Sequence, residues 1–173
     1  PNTPGLRALQ ERGALEAVLD AVRAAATKPP PIFLKVAPDL DPADIDDIVA
    51  VASDRRLDAL IVSNTTITRP PLKSAQGGEA GGLSGAPLRD LAHQRLIDFR
   101  KASGGASPLI GVGGIASAED AWARIRAGAS LVQLYSALGF EGPGLAGRIA
   151  RGLEALAQRD GFARVADAVG VGG

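Results

Sequence analysis

The chain has 173 residues, enough for one domain with a hydrophobic core. Its 19 basic and 19 acidic residues give a formal net charge of zero, and no basic cluster points to nucleic-acid binding. Cysteine is absent and histidine occurs once, which excludes disulfides and metal sites built from several of these residues. No apolar run reaches the roughly 20 residues of a membrane span.

Short apolar runs alternate with amphipathic runs along the chain. An amphipathic run at residues 15–22 has helical spacing, and an apolar strand at residues 32–36 follows it. Asp41 before Pro42 marks the start of a second helix, because proline is tolerated at the first helical position. The continuous apolar run at residues 59–63 predicts a second strand, of the kind that is buried in parallel sheets.

The second predicted strand leads into a long irregular segment at residues 64–86, rich in threonine, proline and glycine. Loops of this length inside a compact domain usually carry function. A third helix follows, and we predict that its single histidine, His93, lies on the surface. The remaining predicted elements are a strand at residues 108–112, a helix after a Ser117–Asp120 capping box, a strand at 131–135, a helix at about 143–158 and a shorter helix with Phe162 and Val165.

This order, one helix followed by four strand–helix pairs, predicts an α/β fold with a parallel sheet and helices outside it. Four strands cannot close an eight-stranded (β/α)8 barrel, which takes about 250 residues. The fold is therefore either the second half of such a TIM barrel, strands 5–8, or a small open sheet. The turn sequences favour the half barrel.

Polar residues at strand ends are the candidate ligand contacts, since ligands of such barrels sit beyond the carboxyl ends of the strands. Lys35 lies in the first strand, where it either reaches towards solvent or meets an anion. Ser63, Asn64 and Thr65 end the second strand and offer donors and acceptors to a polar ring, although such residues also favour plain turns.

Glycine-rich turns and the last strand end are the second group of candidates. Ser84 and Gly85 belong to a glycine-rich part of the long loop, which is either a ligand contact or a mobile hairpin. Gly113 and Gly114 follow the third strand, and Tyr135 and Ser136 end the fourth. If these are barrel strands 7 and 8, the two ends form a phosphate cradle of backbone N–H groups.

Taken together, these segments resemble the dihydroorotate dehydrogenases of pyrimidine synthesis. The matching segments, in family order, are Pro-Asn-Thr-Pro-Gly-Leu-Arg at 1–7, Leu-Lys-Val-Ala-Pro-Asp-Leu at 34–40, Ser-Asn-Thr-Thr at 63–66, Gly-Gly-Leu-Ser-Gly at 81–85, Gly-Val-Gly-Gly-Ile at 111–115 and Leu-Tyr-Ser-Ala-Leu at 134–138. Each segment alone is weak, but the ordered set is specific. The Asn-Thr-Thr-x-x-Arg-Pro form at 64–70 resembles the quinone-dependent class.

The resemblance implies an FMN-containing barrel that oxidises dihydroorotate to orotate and passes the electrons to a quinone. By position in the family motifs, the implied FMN contacts are Lys35, Ser63, Ser84, Gly85, Gly113, Gly114, Tyr135 and Ser136. The implied contacts to dihydroorotate or orotate are Asn2, Asn64 and Thr65. Lys35 corresponds to a lysine whose charge stabilises the reduced flavin. No metal is implied.

The resemblance also implies that residues 1–173 form the C-terminal half of one barrel domain. In the quinone-dependent class a serine base directly precedes the segment that starts here at Pro1, so we expect no catalytic base and no turnover in the isolated chain. The quinone site lies in an N-terminal extension of that class, at the cytoplasmic side of the membrane, whereas the isolated chain is expected to be soluble. Open strand edges predict pairing with the missing half or with a second copy.

Two other functions remain open. Another phosphate-binding barrel, either a different FMN oxidoreductase or an aldolase-like lyase with Lys35 as a Schiff base, would share the last two strands. The second is a folded half barrel with no activity of its own, which would have all four predicted strands.

Overall fold

The structure is a computed structural model that describes residues 8–172 of the chain. Its strands are Phe33–Val36 (β1), Ala59–Val62 (β2), Leu109–Val112 (β3) and Ala129–Gln133 (β4). Its α-helices are Arg12–Ala24 (α1), Pro42–Asp54 (α2), Arg89–Ala102 (α3), Ala118–Arg126 (α4), Leu138–Glu141 (α5) and Leu145–Arg159 (α6). Short 3-10 helices cover Ala8–Gln10, Ala86–Leu88 and Val165–Ala168.

The four strands form one sheet in the order β1-β2-β3-β4, and every neighbouring pair is parallel. The predicted α/β arrangement is therefore confirmed. The register also assigns the faces of the sheet, since paired residues of adjacent strands point to the same side. One row crosses the sheet through Lys35, Ile61, Ile110 and Leu131, and the next row crosses through Val36, Val62, Gly111 and Val132.

The helices cover one face of the sheet. Val36, Leu60 and Leu109 on that face join one hydrophobic core with Ile48 of α2 and Phe99 of α3. Helices α2 and α4 start where the sequence predicts, because a capping box satisfies the first N–H groups of each. The Asp41 side chain accepts from the N–H of Asp44, and the Ser117 side chain accepts from the N–H of Asp120.

The opposite face of the sheet carries large exposed apolar side chains at its edges. Phe33 in β1 is 49% exposed and Leu131 in β4 is 60% exposed. Within the described residues, β1 and β4 each have a strand neighbour on one side alone. The sheet thus has the two open edges and the uncovered face that a half barrel predicts. Among residues 8–172, no helix combines the length and the apolar character needed to cross a membrane.

The structure differs from the prediction in several details. β4 covers Ala129–Gln133, whereas the predicted strand covers residues 131–135. The strand starts earlier because Ala129 pairs with Leu109. The sequence does not predict this start, since Ala129 and Ser130 are small or polar. The short helix α5 was not predicted. The last predicted helix, with Phe162 and Val165, is a 3-10 helix at Val165–Ala168. Phe162 lies outside it, and its ring packs edge-on against Trp122. His93 is half-buried rather than on the surface, and its Nδ1 has no hydrogen-bond partner within the described part of the chain.

Candidate functional site

The carboxyl ends of the strands open into one cleft of about 400 Å³. The cleft lies where parallel sheets of this type bind their ligands. Its lining contains every predicted site residue that the structure describes, namely Lys35, Ser63, Asn64, Thr65, Ser84, Gly85, Gly113, Gly114, Tyr135 and Ser136. The predicted contact Asn2 lies outside the described residues. Residues that are up to 101 positions apart in the sequence are thus brought together.

Lys35 reaches the cleft from the uncovered face of the sheet. Its side chain is exposed, and its row on the sheet continues through the apolar residues Ile61, Ile110 and Leu131. Within the described residues, no carboxylate forms a salt bridge with its ammonium group. The amine is therefore a positive charge at the floor of the cleft, available to an anionic or electron-rich ligand.

The turn after β2 is fixed by hydrogen bonds to both neighbouring strands. The N–H of Asn64 donates to the carbonyl of Val36 at 2.7 Å, and the N–H of Ser63 donates to the carbonyl of Val112 at 3.2 Å. The side-chain oxygen of Asn64 accepts from the N–H of Thr65 at 2.9 Å, which leaves its amide NH2 group as the donor available to a ligand. Ser63 itself is 2% exposed and donates its hydroxyl to the carbonyl of Asn64.

The long loop folds back over this turn. Thr66 and Leu83 exchange backbone hydrogen bonds at 3.1 and 2.8 Å, and the Asp39 carboxylate accepts from the hydroxyl of Thr66 and from the N–H of Ile67. Gly82 packs on Thr65 so closely that a Cβ atom there would lie 1.9 Å from the threonine Oγ1. The loop therefore presents Ser84 and Gly85 to the same cleft as Asn64 and Thr65.

Arg69 holds the two arms of the loop together. Its Nη2 donates to the carbonyls of Glu79 at 2.8 Å and Gly81 at 2.7 Å, and its Nη1 donates to the carbonyls of Ile67 and Thr68. Four otherwise unsatisfied carbonyls converge on one planar group with fixed donor directions. The arginine of the Asn-Thr-Thr-x-x-Arg-Pro segment thus shapes the loop.

Two glycines form the turn after β3. Gly113 has φ of +110° and Gly114 has φ of +72°, a region that residues with a side chain rarely adopt. A Cβ on Gly113 would lie 2.9 Å from the Cβ of Ala92, and a Cβ on Gly114 would lie 2.6 Å from the Cα of Arg89. The glycines therefore let the turn pack against the start of α3, whereas the sequence predicted only their part in a phosphate cradle.

The turn after β3 and the end of β4 together present unpaired donors. Within the described residues, the backbone N–H groups of Gly113, Gly114, Tyr135 and Ser136 donate to no carbonyl. The hydroxyl of Ser136 lies 2.9 Å from that of Ser84, so the long loop closes this end of the cleft. Clustered N–H groups with no internal acceptor are the donor set of an anion site.

Sequence reasoning missed part of the lining. Phe140 and Glu141 border the cleft from α5, which is too short to show a periodic pattern. The Phe140 side chain is 90% exposed, and the Glu141 carboxylate is paired with Arg148 at 3.0 Å. The apolar lining residues Leu88, Ile115 and Leu134 were also missed, since their burial resembles that of ordinary core residues.

Comparison with known proteins gives one consistent match. The family model described as "Dihydroorotate dehydrogenase" matches residues 1–157. A protein of Sphingopyxis alaskensis named dihydroorotate dehydrogenase (quinone) is 75% identical over 99% of this chain and 49% of its own length. A protein of Novosphingobium aromaticivorans with the same name is 66% identical over 98% of this chain and 49% of its own length.

Solved structures give the same answer for the fold. A crystal structure of DHODH from Eimeria tenella in complex with ferulenol superimposes with a TM-score of 0.93 at 37% identity, covering 99% of this chain and 51% of that chain. The chain therefore spans about half the length of the relatives it matches. The half-barrel arrangement predicted from the sequence is confirmed, and the small open sheet is not supported.

The substitution Gly114→Ala tests the turn after β3. The added Cβ would meet the backbone of Arg89 at a positive φ, so we expect a loss of roughly 1–3 kcal/mol in the free energy of unfolding. Gly13→Ala in α1 is the matched control, because nothing lies within 4 Å of its added Cβ and alanine favours a helix by roughly 1 kcal/mol. Chemical denaturation of both variants measures the difference, and equal stabilities would refute the packing described for this turn.

Proposed function

The chain belongs to the dihydroorotate dehydrogenase family, and from this premise we propose that it supplies the cofactor-phosphate and substrate side of a quinone-dependent dihydroorotate dehydrogenase. The proposed cofactor is a flavin, specifically FMN. The reaction removes two hydrogens from dihydroorotate to give orotate, a step of pyrimidine synthesis, and a quinone takes the electrons. Bound FMN would supply the redox chemistry, and the protein residues supply binding, orientation and charge.

The donors at the end of β3 and β4 suit the phosphate of FMN. Four N–H groups without acceptors, from Gly113, Gly114, Tyr135 and Ser136, border one end of the cleft. A phosphate needs several converging donors, and the two turns provide them from the backbone. We assign the phosphate to this end, and Ser63, Ser84 and Gly85 to contacts along the cofactor.

The side chains at the ends of β1 and β2 suit the substrate ring. Lys35 supplies a positive charge there, which would stabilise negative charge that accumulates on the ring system of the cofactor. Asn64 and Thr65 supply side-chain donors and acceptors at the neighbouring strand end. We assign these two residues to the orotate ring, and we retain Asn2 as a third contact on the strength of the family motif.

One observation carries this proposal. In a chain of this family, all of the described residues that the family motifs point to line a single cleft at the carboxyl edge of the sheet. Neither an aldolase-like lyase nor another FMN oxidoreductase gains support from the comparisons. We place the proton-accepting serine, the quinone site and the peripheral contact with the cytoplasmic side of a membrane in a part of the protein outside residues 1–173, and we expect no turnover from the isolated chain.

The substitution Lys35→Ala in the full-length protein tests the proposed role of the cleft. We expect the rate of orotate formation with a quinone acceptor to fall by roughly 100-fold or more, because one preorganised charge at a reacting centre is worth that much. Lys28→Ala, at an exposed position between α1 and β1, is the control and should leave the rate unchanged. Wild-type protein that contains no FMN or forms no orotate would refute the proposal, as would an unaltered rate in Lys35→Ala.

The uncovered face of the sheet leads to a second proposal. We propose that further barrel strands, from the remaining half of the domain or from a second copy of the chain, pair with β1 and β4 and cover Phe33 and Leu131. Exposed strand edges and apolar faces of this kind associate in water.

Sedimentation of residues 1–173 tests this proposal. We expect the chain alone to self-associate, and we expect Phe33→Lys with Leu131→Lys to shift it towards the monomer. Val22→Lys on α1 is the matched control, since Val22 is similarly exposed at 48% but lies on a helix. A monodisperse monomer of the unsubstituted chain would contradict the proposal.

A further inference from the structure

A buried arginine lies directly behind the turn that follows β3. Arg124 of α4 is 2% exposed and does not line the cleft. Its Nη2 donates to the carbonyl of Gly113 at 2.8 Å and to the carbonyl of Arg89 at 2.7 Å. Its Nε is buried and has no hydrogen-bond partner within residues 8–172. A guanidinium this deeply buried is costly to fold, so its position needs a reason.

The sheet makes room for this side chain. Gly111 lies in β3 on the face that the helices cover, in the row of Val62 and Val132. A Cβ on Gly111 would lie 3.3 Å from the Cβ of Arg124, which is closer than most such contacts, and 3.5 Å from its Cδ, which is an ordinary contact distance. A glycine at this position therefore lets Arg124 pass under the turn, and the three glycines of the Gly-Val-Gly-Gly segment all serve the same local geometry.

The hydrogen bond to Gly113 also orients the turn. In a trans peptide the carbonyl of one residue and the N–H of the next point in opposite directions. Because Arg124 holds the carbonyl of Gly113 on the helix side, the N–H of Gly114 points to the cleft side. The carbonyl of Gly114 accepts from the Nε of Arg89 at 3.0 Å, so the next peptide unit is held by a second arginine.

Arg124 retains its positive charge at neutral pH. Burial lowers the pKa of Arg124 to about 10, Asp120 and Asp90 raise it, and Arg89 lowers it further. Within the described residues, no carboxylate forms a salt bridge with Arg124, since Asp120 is paired with Arg89 at 3.1 Å and caps α4. Burial lowers the pKa of the neighbouring His93, Arg124 lowers it further, and Asp90 raises it.

We propose that Arg124 is a positioning residue of the anion cradle, which fixes the N–H of Gly114 towards the cleft and places an unpaired positive charge behind it. The inference rests on the proposed function, because the anion in question is the phosphate of FMN. A charge of this kind acts on an anion through the protein interior, where the attraction is stronger than in water. The charge therefore strengthens binding of the phosphate and not of the ring system of the cofactor.

The affinity ratio of FMN to riboflavin isolates this contribution, since riboflavin has the same ring system without the phosphate. Both ligands are titrated into the full-length apoprotein by flavin fluorescence, for wild type, Arg124→Gln and Arg124→Lys. We expect Arg124→Gln to lower the ratio by roughly tenfold, which corresponds to about 1.4 kcal/mol, and to leave riboflavin affinity unchanged. Arg124→Lys keeps the positive charge and hydrogen-bond donors, so it should keep the ratio within about threefold of wild type.

Arg95→Gln is the matched control. Arg95 of α3 is half-buried and, like Arg124, donates to a carbonyl, that of Leu40 at 2.8 Å, and has a buried Nε without a partner in the described part of the chain. Unlike Arg124, it also forms a salt bridge, with Asp98 at 2.9 Å. It lies away from the cleft, so its substitution should cost stability without changing the FMN to riboflavin ratio.

An unchanged ratio in Arg124→Gln, or an equal loss of FMN and riboflavin, would overturn the role of Arg124 and leave the proposed function standing. If Arg124→Gln does not fold, Arg124→Lys decides, because a tenfold loss of the ratio in that folded, charged variant overturns the role and a retained ratio supports it. If wild-type protein binds FMN no better than riboflavin, the proposed phosphate cradle is refuted, and the proposed function is refuted with it.

Discussion

The parallel register of the four strands is the constraint on which the rest of the structure depends. Since β1 to β4 run in the same direction, their carboxyl ends meet at one edge, and Lys35 and Tyr135 border the same cleft. The same register divides the rows between the helix-covered face and the uncovered face. A slip of one residue in β1 would turn Lys35 into the core of Val36 and Phe99 and remove it from the cleft.

The second constraint is the supply of backbone donors at the strand ends. In the loop over the cleft, Arg69 donates to backbone carbonyls, and Asp39 accepts from a backbone N–H group and a hydroxyl group. The turn after β3 is different, because Arg124 and Arg89 hold its carbonyls while its N–H groups stay unpaired within the described residues. The protein thus uses cationic side chains behind the backbone and presents N–H groups in front of it, an arrangement that suits a phosphate.

Most of this fold could be predicted from the sequence where local patterns and tertiary packing agree. The capping residues Asp41 and Ser117 fix helix starts through contacts within three residues, and both predictions hold. The site residues at strand ends were also predictable, since parallel strands bring their ends together whatever lies between them. The start of β4 at Ala129 was not, because its assignment depends on pairing with β3 and not on its own composition. Arg124 was missed for a similar reason, as a basic residue on an amphipathic helix usually faces solvent.

The phosphate of the cofactor has a specific expected place in this structure. A crystal structure of the full-length protein grown with FMN measures this directly. We expect the phosphate within hydrogen-bond distance of the N–H groups of Gly114 and Ser136, with Arg124 still bound to the carbonyl of Gly113. A phosphate bound to Lys35 and not to these N–H groups, or a phosphate outside the cleft altogether, would contradict this expectation.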